Sequence, residues 1–162
     1  MKQWISRRKM IKNLSAGWVL ASVKSIAWAV PIALPVTDSL PDALAHALQL
    51  KQPLVVMVSL QGCPFCKVVR ENYLHPLRED GLQIVQIDMR DNRRIVDFDG
   101  SVSSQDAWIR KYGIKLAPTV LFFGGKGEEV ASRLKGAYIP DFYGAYLDEQ
   151  LRIARQVVST RK

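Results

Sequence analysis

The chain has 162 residues, enough for one domain of ordinary size with a short appendage. Its 48% hydrophobic and 23% charged residues exclude wholesale disorder, and two cysteines cannot build a multi-disulfide scaffold or a four-cysteine zinc site. A net charge of +8 would ordinarily point to nucleic acid or an anionic membrane, so the position of the charges decides. Six of the 23 basic residues and none of the 15 acidic ones lie in residues 1–29, which leaves 17 against 15, or +2, for the rest. The remainder is close to neutral, and no nucleic-acid partner is expected.

Residues 1–29 read as a signal peptide. A basic cluster is followed by an apolar run of 11 residues from Asn13 to Val23, then by Ala27-Trp28-Ala29 with small residues at the −3 and −1 positions of a cleavage site. Ser6-Arg7-Arg8-Lys9-Met10-Ile11-Lys12 resembles the twin-arginine export signal, with Met10 and Ile11 where that pattern has Phe and Leu. The resemblance implies export of a folded protein across a bacterial inner membrane, hence a periplasmic location. General secretion and an uncleaved N-terminal anchor are the alternatives. Against the anchor, Leu14–Val36 is interrupted by Lys24, Pro31 and Pro35.

Residues 30–37, with two prolines, read as an extended leader. Asp38-Ser39 before Pro41 is a helix start, and Leu40, Leu44, Ala47 and Leu48 recur at helical spacing up to Gln52-Pro53. Leu54–Leu60 is a continuous apolar, β-branched run between Pro53 and Gly62, as expected of a buried parallel strand. A helix is predicted from Cys63 to about Tyr73, ending near His75-Pro76, and a second interior strand over Leu82–Asp88. Residues 89–103, rich in Asp, Arg, Asn and Gly, read as a loop or short excursion, either solvated or a partner-recognition surface.

Ser103 or Ser104 can cap a helix through Tyr112-Gly113. Thr119–Phe123, the glycine turn 124–127 and Glu128–Leu134 predict a β-hairpin. Pro140 opens a last helix with Phe142, Tyr146, Leu147, Leu151 and Ala154 on one face, and 157–162 form a tail. This order, crossovers first and a hairpin last, predicts an α/β fold with helices on both faces of the sheet.

Cys63-Pro64-Phe65-Cys66 falls where a buried strand passes into a helix. There the unpaired N–H groups and the helix dipole stabilise a thiolate on the first cysteine. One helical turn lets Cys66 resolve a mixed disulfide formed at Cys63, and Pro64 stiffens that turn without wasting an N–H. The bland alternatives are two unrelated thiols or a metal pair. His46 and His75 are the only imidazoles and read as surface or capping residues, so no metal or other cofactor is expected. Copper chaperones also carry cysteine pairs on strand–helix loops, but usually with Met where this chain has Gln61 and without an intervening Pro.

Leu54–Lys67 together with Tyr112–Gly136 resembles the thioredoxin superfamily, through Cys63-Pro-Phe-Cys66-Lys67 and Ala117-Pro118-Thr119-Val-Leu-Phe-Phe123. The similarity spans about residues 38–156, the expected thioredoxin-like domain. It implies a central mixed sheet flanked by helices, with a C-terminal β-hairpin and helix. It also implies a cis bond before Pro118 beside the cysteines, with Ala117 offering backbone hydrogen bonds to a bound thiol substrate. Pro64, Phe65, Ala117 and Pro118 would form the substrate-docking face.

Within the superfamily the chain most resembles exported relatives of the sulfur-oxidation and cytochrome-maturation type. Two departures stand out: Gly62 replaces the usual Trp before the first cysteine, and Met57 replaces a buried Asp that would accept the resolving thiol's proton. The expected function is a monomeric periplasmic thiol–disulfide oxidoreductase that reduces protein disulfides through Cys63 and Cys66. It would draw electrons from a membrane thiol donor and meet the membrane only through its export signal. A disulfide oxidase or isomerase, a glutathione-specific enzyme and a non-enzymatic binding module are the competing readings.

Overall fold

The computed structural model describes residues 32–137 and 140–160; the expected signal peptide of 1–29 lies outside them. The elements are α1 (Leu40–Gln49), β1 (Leu54–Ser59), α2 (Pro64–Val69), α3 (His75–Glu79), β2 (Ile84–Asp88), β3 (Arg94–Val96), β4 (Val102–Ser104), α4 (Gln105–Lys111), β5 (Thr119–Phe123), β6 (Leu134–Lys135) and α5 (Pro140–Thr160). Four strands form a mixed sheet in the order β2-β1-β5-β6. β1 runs parallel to β2, with Val56 opposite Val85, and antiparallel to β5, with Val56 opposite Leu121. This is the thioredoxin fold. All six residues of β1 are buried, as a central strand covered on both faces requires.

Strand alternation divides the core in two. Val55, Met57, Val120 and Phe122 pack against Cys66 and Val69 of the cysteine helix and against Tyr143, Leu147, Leu151 and Ala154 of α5. Val56, Val58, Leu121 and Phe123 pack on the other face against Leu40 and Leu44 of α1 and Trp108 and Ile109 of α4. The caps match the sequence: the Ser39 hydroxyl accepts from the Asp42 N–H at 3.3 Å and that of Ser104 from Ala107 at 3.2 Å.

Several expectations are corrected. Phe142 and Tyr146 are 58% and 55% exposed, and the buried stripe of α5 is Tyr143, Leu147, Leu151 and Ala154. The two stripes have the same spacing, and the choice between them is made by packing of the Tyr143 ring on Tyr73, at 4.9 Å. The cysteine helix does not stop at His75-Pro76. A π turn over Arg70–Leu74, closed by the His75 N–H on the Arg70 carbonyl, joins α2 to α3, and its wider loop carries the chain past a proline that a regular turn would reject.

Glu128–Leu134 is not a continuous strand. Phe123 faces Glu129 and Val120 faces Leu134, so three steps along β5 match five on the returning chain. The extra residues bulge out because the Ser132 N–H donates to Gln150 of α5 at 2.9 Å, and Arg133 turns to Glu129 and to the Tyr112 carbonyl. The short excursion among the readings of 89–103 is the β3–β4 hairpin, which closes at Ser104.

Two contacts bind the flanking segments to this frame. Residues 32–37, read from sequence as a leader, run along the free edge of β2: Val36 pairs with Gln86, the Gln86 N–H donates to the Pro35 carbonyl at 2.8 Å, and Leu34 is buried. That pairing covers an edge that would otherwise present unpaired backbone. Gly127, at φ +72°, lies under Phe98 of the β3–β4 turn; a Cβ there would stand 2.3 Å from the ring, so only glycine fits.

Candidate active site

The turn after β1 delivers the chain to Cys63, whose N–H donates to the Leu60 carbonyl at 3.2 Å. Gly62 takes φ +75° to make that turn, and a side chain there would meet nothing within 4 Å, so this flank of Cys63 is open. Cys63 is the N-cap of the cysteine helix. Its sulfur accepts the Cys66 N–H at 3.1 Å, and Pro64 occupies the first turn. A thiolate at this atom would gain both the hydrogen bond and the positive end of the helix.

Cys63 and Cys66 are joined as a disulfide, with Cα atoms 5.2 Å apart. Cys66 is fully buried beneath the first turn, whereas Cys63 is half-exposed. Of the two sulfurs, that of Cys63 is the one open to an incoming sulfur.

Opposite the pair, the Ala117–Pro118 bond is cis. The Ala117 carbonyl oxygen is 4.0 Å from the Cys63 sulfur. The loop is held from both sides, by the Thr119 hydroxyl donating to the Leu116 carbonyl at 2.6 Å and by the Gly136 N–H donating to the Pro118 carbonyl at 2.7 Å. Two large apolar side chains near these turns are exposed, Phe65 between the cysteines at 56% and Leu116 before the cis bond at 36%. Pro64 is also exposed, Ala117 half-buried and Pro118 buried, so the ring of Pro118 shapes the loop while the backbone of Ala117 faces the cysteine.

Met57 is fully buried in the core cluster that holds Cys66. His46 is exposed on α1, and His75 Nε2 lies 3.8 Å from Glu79. Among the described residues no group of three or more His, Cys, Asp or Glu could hold a metal ion, and no helix is long and apolar enough to cross a membrane.

Two polar groups near the site and across the sheet escaped the sequence reading. Arg70, one turn beyond Cys66, donates from Nε to Gln86 Oε1 at 2.9 Å and from Nη2 to Ser59 Oγ at 3.0 Å. These residues line a groove of about 1100 Å³ that reaches Cys63 and is walled on its far side by residues 32–36 and 88–93. Asp97, 1% exposed, accepts from Trp108 Nε1 at 2.9 Å, Tyr112 Oη at 3.1 Å, the Phe98 N–H at 2.7 Å and Lys111 Nζ at 2.5 Å. Burial acts to raise its pKa, but these four donors outweigh burial and hold it below the ordinary carboxylate value. Burial and the adjacent Asp97 push the Tyr112 phenol up to about 12. The spacing of Cys66 and Arg70, four residues on one helix, was the available signal for the first group; nothing local marks Asp97 among its acidic neighbours.

A helix N-terminus presenting an exposed sulfur over a buried one, with a cis-proline loop facing it, defines a thioredoxin-like thiol–disulfide oxidoreductase. Residues 40–151 match the family model described as a thioredoxin-like domain, and the chain belongs to that family. Among solved structures it is similar to thioredoxin O2 of Arabidopsis thaliana, at 18% identity over 75% of this chain and 97% of that one, TM-score 0.45. It is similar also to thioredoxin NaTrxh of Nicotiana alata, at 20% identity over 76% and 98%, TM-score 0.47, and to Fasciola hepatica thioredoxin, at 20% over 74% and 97%, TM-score 0.47. None of the curated proteins compared matches the chain.

Proposed function

We propose that the protein reduces disulfides of exported proteins in the periplasm and is itself re-reduced by a membrane thiol donor. The observation that carries the reductive cycle is the exposure difference within the disulfide, an accessible Cys63 above a buried Cys66. The Cys63 thiolate attacks one sulfur of a substrate disulfide; that bond breaks, and the first substrate thiolate leaves. Cys66, losing its proton, then attacks Cys63, expels the second substrate sulfur and closes the Cys63–Cys66 bond. Two electrons pass to the substrate. Phe65, Leu116 and the Ala117–Pro118 loop receive the apolar surroundings of the substrate sulfur, and the open flank at Gly62 admits bulky protein surfaces.

The periplasmic location rests on the order of basic cluster, apolar run and Ala27-Trp28-Ala29, and on the likeness of Ser6–Lys12 to the twin-arginine signal. An oxidising compartment makes an electron donor necessary. Insulin reduction measured with the wild type and with Cys63→Ser tests the catalytic reading: the variant is expected at the uncatalysed rate, and undiminished turnover would remove Cys63 from the chemistry. Fractionation of expressing bacteria tests the location. Recovery of full-length, unprocessed chain in the cytoplasm would overturn it.

A further inference from the structure

We propose that Arg70 is a positioning residue that sets the redox poise of the Cys63–Cys66 pair through its charge, an inference that rests on the oxidoreductase reading. Arg70 lies four residues beyond Cys66, about 6 Å along the same helix axis. Its guanidinium is not directed to solvent. It turns inward to the end of β1 and to β2, where it meets the fully buried Ser59 hydroxyl and the buried Gln86 side chain. Both acceptors are neutral.

The nearest carboxylate in this chain of bonds is Asp88, which accepts from Gln86 Nε2 at 2.7 Å and is itself paired with Arg93 at 3.1 Å. Arg93 is in turn bound to Asp91 at 2.6 Å. The remaining charges on the groove are Lys67 and Glu71 on the same helix and Arg90 on the far wall. A cation held by neutral partners therefore stands beside the redox helix, while the position under the cysteines that could carry an anion is Met57, in the apolar core.

A positive charge on the groove that reaches Cys63, partly shielded from water, favours thiolate over thiol and so favours the reduced state over the disulfide. The potential becomes less negative, which eases acceptance of electrons from the donor while leaving more oxidising substrate disulfides reducible. In the measured reaction the Cys63–Cys66 disulfide takes two electrons from two glutathione thiols and yields the protein dithiol and glutathione disulfide. When Cys63 remains ionised, one of the two protons released by glutathione goes to solvent.

The experiment equilibrates the full-length chain in glutathione redox buffers and reads the dithiol fraction by alkylation, alongside the pH dependence of the Cys63 alkylation rate. Arg70→Met is expected to shift the equilibrium about tenfold toward disulfide, equivalent to about 30 mV, and to raise the Cys63 titration midpoint. Arg70→Lys should stay within about twofold of wild type, since charge and not fork geometry carries the effect. Gln86→Glu, which sets a carboxylate against the guanidinium, should move both readouts in the direction of Arg70→Met, and it decides the matter if Arg70→Met does not fold. Unchanged readouts in folded Arg70→Met or in Gln86→Glu overturn the proposal, as does a Lys variant as shifted as the Met variant. A wild-type pair that does not exchange with glutathione at all would instead remove the oxidoreductase reading.

Discussion

The two faces of the sheet treat buried polarity in opposite ways. On the α4 side, Asp97 is sealed from water and saturated by four donors, which fasten the β3–β4 hairpin to the helix behind it. On the cysteine side the core beneath the disulfide holds Met57 and, among the described residues, no buried carboxylate, and the cation turned inward is Arg70, bound to neutral partners. A saturated charge holds structure together; a charge left without a counter-ion projects its field onto what stands next to it. The first arrangement lies away from the disulfide, the second on the helix that carries it.

The strongest way to break this contrast is to move a carboxylate across the sheet. Met57→Asp should lower stability by about 4 kcal/mol at pH 8, from lost packing and an unpaired buried charge. Burial raises the folded-state pKa of that acid, so the deficit should shrink by pH 5, where it folds neutral. Urea melts at the two pH values test this; equal deficits would mean that the carboxylate finds a partner.

Removing the saturated acid comes next. Asp97→Ala leaves the Trp108 and Phe98 N–H groups and the Tyr112 hydroxyl without their acceptor and should cost about 3 kcal/mol, with the reduction potential unchanged. A shifted potential would show that the two faces communicate. The same residue gives the wild type an acid-labile component of stability. Its folded pKa is depressed, so the contribution is complete above the unfolded value of about 3.9 and is lost as pH falls through the folded one. Denaturant midpoints between pH 5 and 2 should therefore fall more steeply in the wild type than in Asp97→Ala.

The smallest effect concerns Phe65, exposed between the cysteines. Phe65→Ala should raise KM for a protein disulfide about fivefold, the equivalent of about 1 kcal/mol of docking energy, with kcat little changed. A fall in kcat with constant KM would place Phe65 in the chemistry instead of in docking.

Much of this organisation is local and therefore legible in the residues. The run Leu54–Leu60 could only be a covered strand, Ser39 and Ser104 are efficient caps, and two cysteines three apart at a strand–helix junction carry their own chemistry. The cis bond at Pro118 followed from family likeness, because the motif that carries it is contiguous. The features that local pattern does not determine depend on partners far away in the chain. Spacing alone could not choose between the Phe142–Tyr146 and Tyr143–Leu147 stripes of α5; the contact with Tyr73 chose. The bulge before β6 is set by Gln150, 18 residues beyond Ser132.

The charge that first marked this sequence was a matter of position along the chain, and the amino-acid order alone separated a basic N-terminal segment from a nearly neutral domain. The order likewise determined the redox pair and the elements around it, since caps, covered strands and a two-residue cysteine spacing act over a few residues. Only the tertiary structure decided which charges matter within the domain. Asp97 became an internal clamp, and the Arg70 guanidinium turned inward onto neutral partners, because solvent exposure and hydrogen-bond partners are set by the meeting of distant segments.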